Sequence, residues 1–146
     1  MKLLLQRVSQ ASVSVAGEQV GAIGPGMLVL AGFQREDSEA QVSRLTERML
    51  NYRLFADAEG KTNLSVRDIA GGVLLVSQFT LAADTGRGLR PGFSLAAQPQ
   101  RARELYLVML AQLQQDSSVQ VASGIFGADM QVMLINDGPV TFLLEG

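Results

Sequence analysis

Residues 71–84 read Gly-Gly-Val-Leu-Leu-Val-Ser-Gln-Phe-Thr-Leu-Ala-Ala-Asp, and they predict the central strand of the fold. The unbroken apolar run of residues 73–76 predicts a strand that is buried on both faces. Ser77, Gln78 and Thr80 then bring hydrogen-bonding side chains to the end of that strand. Such side chains either satisfy loose backbone groups or form the floor of a ligand pocket, and local spacing alone favours the first interpretation.

The composition bounds the class of protein. A chain of 146 residues that is 47% hydrophobic and 18% charged is expected to form one globular domain over residues 1–146. The apolar runs are far shorter than a membrane span, and the first residues lack the layout of a signal peptide. We therefore expect a soluble, cytoplasmic protein with no membrane partner.

The chain contains no cysteine and no histidine. Disulfides and thiolate metal sites are excluded, and the commonest general base and metal ligand is missing. Any catalysis must use carboxylates, hydroxyls, arginine, backbone amides or the substrate itself, and we predict no metal site and no cofactor. The formal net charge of −2 creates no general attraction for nucleic acid, so RNA would have to bind to a local patch.

Strands and helices follow from short patterns on both sides of residues 71–84. Alternating or continuous apolar residues predict strands at residues 2–15, 19–23, 27–33, 130–135 and 140–144. Ser38 and Gln41 form a capping-box pattern that begins one helix, and Pro99 suits the first turn of another. Asp57 and Glu59 fall in a polar turn, for which a hairpin is a better interpretation than a metal loop.

A glycine-rich basic loop follows the central strand at residues 85–94. Arg87 and Arg90 lie in it, with Arg101 and Arg103 downstream. The loop does not match a phosphate-binding loop of the Walker type, and no GxGxxG motif follows a strand here. It is either a solvated loop or a local anion contact. Arg7 lies in the first predicted strand, where its residue type alone favours a charge at a sheet edge.

The segment Asn136-Asp137-Gly138-Pro139 lies between two predicted apolar strands, which favours a hairpin loop. Nothing local indicates a cis bond before Pro139, because only ~5–6% of such bonds are cis in folded proteins. Glycine before proline nevertheless leaves the backbone bare, so its carbonyls and amides can approach a ligand.

The segments Ser77-Gln78-Phe79-Thr80-Leu81 and Asn136-Asp137-Gly138-Pro139-Val140-Thr141, taken together, resemble the paired signature of the D-aminoacyl-tRNA deacylases. Residues 3–14, 57–60 and 128–132 are also similar to that family, in the family's order. The resemblance implies an α+β fold, with mostly antiparallel, barrel-like β-sheets, two main helices and a homodimer. It implies hydrolysis of the ester that joins a D-amino acid, or glycine, to the 3′-terminal adenosine of tRNA.

The resemblance also assigns roles to residues. Ser77, Gln78, Phe79 and Thr80 would line the pocket of one subunit, and Gln78, Phe79 and Thr80 would be its catalytic residues. Backbone N–H groups near Phe79 and Thr80 would stabilise the oxyanion. Thr80 is either a nucleophile, for which no general base is evident, or a group that orients water or substrate together with Gln78. Gly138 and Pro139, joined by a cis bond, would enter that pocket from the other subunit and reject L-amino acids. Arg7 would orient the Gly-Pro loop, and Met130 would line the same pocket. Arg87 and Arg90, in the basic loop, would bind phosphates of the tRNA.

Two other function classes stay open at this point. One is a hydrolase of small esters or amides that needs no RNA, which the acidic pI of about 5.1 allows. The other is a non-catalytic dimeric module that binds a ligand like aminoacyl-adenosine, since no conventional base is present.

Overall fold

The computed structural model describes residues 1–86 and 88–146. They form eight strands, two α-helices and one 3-10 turn. In chain order these elements are β1 (Lys2–Val15), β2 (Glu18–Ile23), β3 (Gly26–Gly32), α1 (Glu39–Leu50), β4 (Phe55–Ala56), β5 (Thr62–Leu64), β6 (Gly72–Ser77), the 3-10 turn (Phe79–Ala82), α2 (Pro99–Gln115), β7 (Gln120–Ser123) and β8 (Gln131–Glu145).

Six strands form one mixed sheet in the order β2-β1-β3-β6-β7, and β8 pairs with the other edge of β1. The pairs that involve β1 are antiparallel, whereas β3–β6 and β6–β7 are parallel. The open side of the sheet is narrow, because a side chain on Gly21 of β2 would come within 2.9 Å of the Ser123 carbonyl of β7. The expected α+β fold with a barrel-like sheet and two helices is confirmed in this nearly closed form.

The central strand β6 carries the core on both faces, as predicted. Val73 and Leu75 pack toward the helices, and Leu74 and Val76 pack into the barrel interior. Its start lies very close to β3, since a side chain on Gly26 would collide with the backbone of Gly72. Glycine is therefore required where this parallel pair begins.

Both predicted helices are present with their predicted starts. The Ser38 hydroxyl accepts a hydrogen bond from the Gln41 N–H, and the Gln41 side chain accepts one from the Ser38 N–H. Pro99 occupies the first turn of α2. Both helices pack on the outer face of the sheet through apolar stripes, which include Val42, Leu45 and Met49 in α1 and Ala102, Leu105, Met109 and Leu113 in α2.

The turn at residues 57–60 is a hairpin, as predicted, between β4 and β5. The Asp57 carboxylate accepts hydrogen bonds from the N–H groups of Glu59 and Lys61 and from the Asn63 amide. These bonds hold the pKa of Asp57 below its usual range. Among the described residues, no helix has the length and apolar content that a bilayer crossing requires.

Candidate active site

The end of β6 is where the chain turns from sheet to surface. Ser77 is its last strand residue, and the Gln78 N–H donates to the Ala31 carbonyl at 2.7 Å. The backbone then tightens into the 3-10 turn, which is closed by the Leu81 N–H donating to the Gln78 carbonyl at 3.2 Å. Only the first of the predicted polar residues therefore stays in the strand, and Gln78 and Thr80 belong to the turn.

A cavity of about 480 Å³ opens at this end of the sheet. Its walls come from β3, β6, the start of α2 and residues 126–132, and most of them are apolar, as is typical of small-molecule sites. Four of the predicted site residues line it: Ser77, Gln78, Phe79 and Met130. Met130 fits because a side chain on Gly124 would collide with its sulfur, so glycine leaves room for it.

Thr80 lies beside the cavity but does not line it. Its hydroxyl oxygen accepts a hydrogen bond from Gln78 Nε2 at 2.6 Å. An amide N–H cannot accept the hydroxyl proton, so this contact orients Thr80 and does not activate it as a nucleophile. The geometry favours a positioning role for both side chains.

Sequence patterns missed several residues at the cavity. Phe126 and Pro99 form part of its apolar wall, and Asp129 is the sole carboxylate among the described residues that line it. Tyr106 lies behind the wall, where its hydroxyl is 3.2 Å from the Leu75 carbonyl oxygen and 3.4 Å from that of Gly124, so its one proton can be donated to either of them. Burial raises the pKa of the Tyr106 phenol, so the group stays neutral and acts as a structural donor.

The segment Asn136–Val140 is a bulge within β8, so the predicted hairpin is wrong. Gln6 of β1 pairs with Thr141, and Val8 pairs with Asn136, so Asp137–Val140 lie opposite Arg7 alone. The surplus residues loop out while β8 continues along β1 on both sides. A bulge and a hairpin loop need the same turn residues, and the long-range pairing with β1 selects the bulge.

Two side chains hold this bulge in shape. Arg7 Nε donates to the Asp137 carbonyl at 2.7 Å, and a terminal guanidinium nitrogen donates to the Leu54 carbonyl at 2.9 Å. The Asn136 side chain accepts from the Val140 N–H at 2.8 Å and donates to the Val140 carbonyl at 3.3 Å. Arg7 has strands on both edges of β1, so the interpretation as an edge charge is wrong.

The Gly138–Pro139 peptide bond is cis. Both residues are exposed, and neither belongs to the walls of the cavity formed by the described residues of the same chain. A single chain thus gathers Ser77, Gln78, Phe79 and Met130, while Gly138 and Pro139 stand apart from them on the outer surface of β8.

The strand β8 is unusually exposed for an apolar strand. Its second edge pairs with no strand in the described part of the chain. Five large apolar side chains on it are at least 36% exposed: Val132, Met133, Ile135, Phe142 and Leu143. An exposed apolar surface of this kind is typical of an interface with another protein chain.

The basic loop is described only in part. Arg87 lies outside the described residues, and Arg90 is exposed. The loop is closed by backbone hydrogen bonds between Asp84 and Gly92, at 2.7 and 2.9 Å. Downstream, Arg101 pairs with the carboxylates of Glu39 and Glu104.

Within residues 1–86 and 88–146, no group of three or more acidic side chains is arranged to hold a metal ion. In the turn at 57–60, the Asp57 carboxylate accepts hydrogen bonds from within the hairpin, and Glu59 accepts one from Lys61. The expectation that the site works without metal remains a prediction.

Comparison with known proteins gives consistent matches along the whole chain. The sequence profile of the family described as D-Tyr-tRNA(Tyr) deacylase matches residues 4–145. A D-aminoacyl-tRNA deacylase of Azotobacter vinelandii is 59% identical over 145 residues, which cover 99% of each chain. One from Klebsiella pneumoniae is 57% identical over the same length and coverage.

Two solved structures share the fold. A protein titled c-Myc DNA Unwinding Element Binding Protein is 42% identical and superposes with a TM-score of 0.95 over 100% of this chain and 99% of its own. A probable eukaryotic D-amino acid tRNA deacylase superposes with a TM-score of 0.85 over 98% of this chain and 97% of its own. It is 15% identical, so it supports the fold alone.

Proposed function

The chain belongs to the D-Tyr-tRNA(Tyr) deacylase family, and we propose that it hydrolyses the ester between a D-amino acid and the 3′-terminal adenosine of tRNA. The observation that carries this proposal is the 59% identity over the full length to a D-aminoacyl-tRNA deacylase. The gathering of Ser77, Gln78 and Phe79 around one cavity supports it further. Glycyl-tRNA is a second substrate, the deacylase domain spans residues 1–146, and the protein acts in the cytoplasm.

The cavity suits a hydrolysis that needs little chemical activation. An aminoacyl ester is already reactive, so the enzyme must mainly position it and stabilise the charge that develops on the carbonyl oxygen. The first N–H groups of a 3-10 turn have no partner inside the turn, and here Phe79 and Thr80 supply them. These two N–H groups are the proposed oxyanion donors.

The proposed hydrolysis needs only water and the ester, with no protein base and no cofactor. A water oxygen attacks the ester carbonyl carbon, the bond from that carbon to the ribose oxygen breaks, and the ribose oxygen takes up a proton. The neighbouring ribose hydroxyl assists the proton transfer, since the sequence has no histidine. Gln78 and Thr80 form a hydrogen-bonded pair that orients water or substrate.

Selection against L-amino acids is assigned to the bulge of a second copy of the chain. Rejecting one enantiomer requires a wall that an L side chain strikes and a D side chain avoids. Gly138 and Pro139 present bare backbone and lie away from their own cavity, so they are suited to a neighbouring one. The exposed apolar side chains of β8 supply a surface for the homodimer.

Arg7 and Met130 support the two halves of this site. Arg7 fixes the bulge through its hydrogen bonds to the carbonyls of Asp137 and Leu54. Met130 lines the cavity next to Val132, where the partner's bulge would enter. Arg90, which is exposed, and Arg87, which lies outside the described residues, contact tRNA phosphates.

A deacylation assay tests the proposed function directly. Purified protein is incubated with D-Tyr-tRNA, L-Tyr-tRNA, glycyl-tRNA and the methyl ester of D-tyrosine, and the time course of ester loss is followed. We expect cleavage of the D-Tyr and glycyl substrates and retention of L-Tyr-tRNA. Equal cleavage of the methyl ester would favour an RNA-free esterase, and binding without turnover would favour a ligand-binding module.

A further inference from the structure

The chemistry above uses the backbone N–H of Phe79 but gives no role to the contact between its ring and that of Phe93. The ring centroids are 5.1 Å apart and the ring planes are tilted by 49°. The side chains are 59% and 41% exposed. Single exposed apolar residues are ordinary, whereas two exposed aromatic rings in contact present a continuous apolar surface. Because Phe79 also lines the cavity, the pair continues the cavity wall onto the outside of the protein.

Backbone hydrogen bonds fix the main chain that carries both rings. Phe79 begins the 3-10 turn, whose closing bond joins Leu81 to Gln78. Phe93 follows directly after the backbone pair Asp84–Gly92, and its carbonyl accepts from the Ala96 N–H at 3.1 Å. The pair is therefore a preorganised platform, which binds a flat ligand at a low cost in conformational entropy.

Two exposed arginines, Arg90 and Arg103, lie in the chain segments that carry Phe93 and the cavity residue Pro99. Arg90 is exposed in the loop that Asp84 and Gly92 close, three residues before Phe93. Arg103 is exposed and lies one helical turn after Pro99, so the two residues share one face of α2. Pro99 itself lines the cavity. Aromatic rings that stack bases, beside arginines that reach phosphates, are the features with which proteins bind single-stranded nucleic acid.

We propose that Phe79 and Phe93 form a second subsite, which stacks an unpaired base that precedes the terminal adenosine of tRNA. This inference rests on the proposed function. When the aminoacylated nucleoside fills the cavity, the RNA strand leaves past its rim, and the platform begins at that rim with Phe79. Stacking tolerates every base, so the subsite recognises the single-stranded 3′ end that tRNAs share, independently of the amino acid they carry.

A second copy of the chain is the other candidate occupant of the platform. The larger apolar surface for such a partner lies on β8, which carries Met133, Ile135 and Leu143. The arginines beside Phe93 and Pro99 match a polyanion better than an apolar strand. The experiment below gives a different result for each occupant.

The test compares two substrates that share the ester and the terminal nucleoside. D-Tyr-tRNA carries the preceding nucleotides, and the D-tyrosyl ester of adenosine does not. The value of kcat/KM is measured for both with wild type, Phe93→Leu and Phe93→Trp. Leucine keeps apolar bulk without a flat ring, and tryptophan keeps a flat ring. Leu107→Ala, which removes a 48% exposed side chain from α2, is the control.

We expect Phe93→Leu to lower kcat/KM for D-Tyr-tRNA at least about fivefold, mainly through KM, and to leave the adenosine ester unchanged. Phe93→Trp retains the tRNA activity, and Leu107→Ala changes neither substrate. An equal loss on both substrates, or a change in dimer dissociation, would overturn the subsite and indicate a partner contact. No loss on either would overturn it as well. If wild type cleaved neither substrate, the proposed function would fail first.

Discussion

Replacing Arg7 by methionine tests how the bulge of β8 is held. Arg7 is 17% exposed and donates to the Asp137 carbonyl and to the carbonyl of the fully buried Leu54. Methionine keeps the apolar stem and removes both donors. Water can replace the guanidinium at the exposed Asp137 end but not at the Leu54 end.

The magnitude follows from that difference. A hydrogen bond to a charged group contributes about 1.5–3 kcal/mol, so losing the partly buried one to Leu54 should lower the free energy of unfolding by about 2 kcal/mol. If the bulge opens locally at the same cost, the ratio of its closed to its open form falls about 30-fold. The ratio of D-Tyr-tRNA to L-Tyr-tRNA cleavage should fall with it.

Urea unfolding and deacylation of both tRNAs measure these two effects on the same samples. Arg44→Met, which removes an exposed arginine from α1, is the matched control and should stay within about 0.5 kcal/mol of wild type. If Arg7→Met matched this control in both stability and discrimination, the assignment of Arg7 to the bulge would be wrong.

Three further substitutions test the role of the Thr80 hydroxyl, the wall formed by Pro139 and the ion pairs of Arg67. Thr80→Ala should retain substantial deacylation, because no base activates the Thr80 hydroxyl; loss to background, or a trapped acyl-enzyme on wild-type protein, would show a covalent mechanism. Pro139→Ala should let L-Tyr-tRNA react, and unchanged exclusion of the L form would reject the wall. Arg67→Met should lower stability at pH 7 by about 1 kcal/mol, since Arg67 bonds Glu47 and Asp116. The Arg67 hydrogen bond lowers the pKa of Glu47, so wild type loses this stabilisation as pH falls through that lowered pKa; a difference in urea midpoints that stayed constant into acid would contradict it.

Elements that depend on neighbours in sequence could be predicted with few errors. The helix starts follow from single local features, which are the capping box of Ser38 and Gln41 in α1 and the proline in the first turn of α2. The strand β6 follows from its own apolar run, whose side chains it buries. The propensity and the packing agree at these places, so the pattern and the structure coincide.

The bulge in β8 could not be predicted from local sequence patterns. Asparagine, aspartate, glycine and proline favour a reversal of the chain, but β8 pairs with β1 on both sides of them. The register of that pairing is a long-range property, and a segment read alone does not contain it. The edge interpretation of Arg7 fails for the same reason, because the strands that flank β1 come from distant parts of the chain.

The candidate site divides in a similar way. Ser77, Gln78 and Phe79 are adjacent in sequence and reach the cavity together, whereas Phe126 and Pro99 arrive from other segments. No spacing connects these segments, since the sheet and α2 bring them together only after folding. The resemblance to the deacylases identified the first set and Met130, and it carried no signal for Tyr106 behind the wall.

A mixed dimer tests the proposal that the bulge of one subunit completes the cavity of the other. One chain carries Pro139→Ala together with Ser77→Trp, which fills its own cavity, and it is co-expressed with wild type under a different C-terminal tag. The purified heterodimer should deacylate L-Tyr-tRNA, because the intact wild-type cavity faces the altered bulge of its partner. If the heterodimer still cleaved D-Tyr-tRNA but rejected L-Tyr-tRNA completely, the bulge of one subunit would not act on the cavity of the other, which contradicts the proposed shared site.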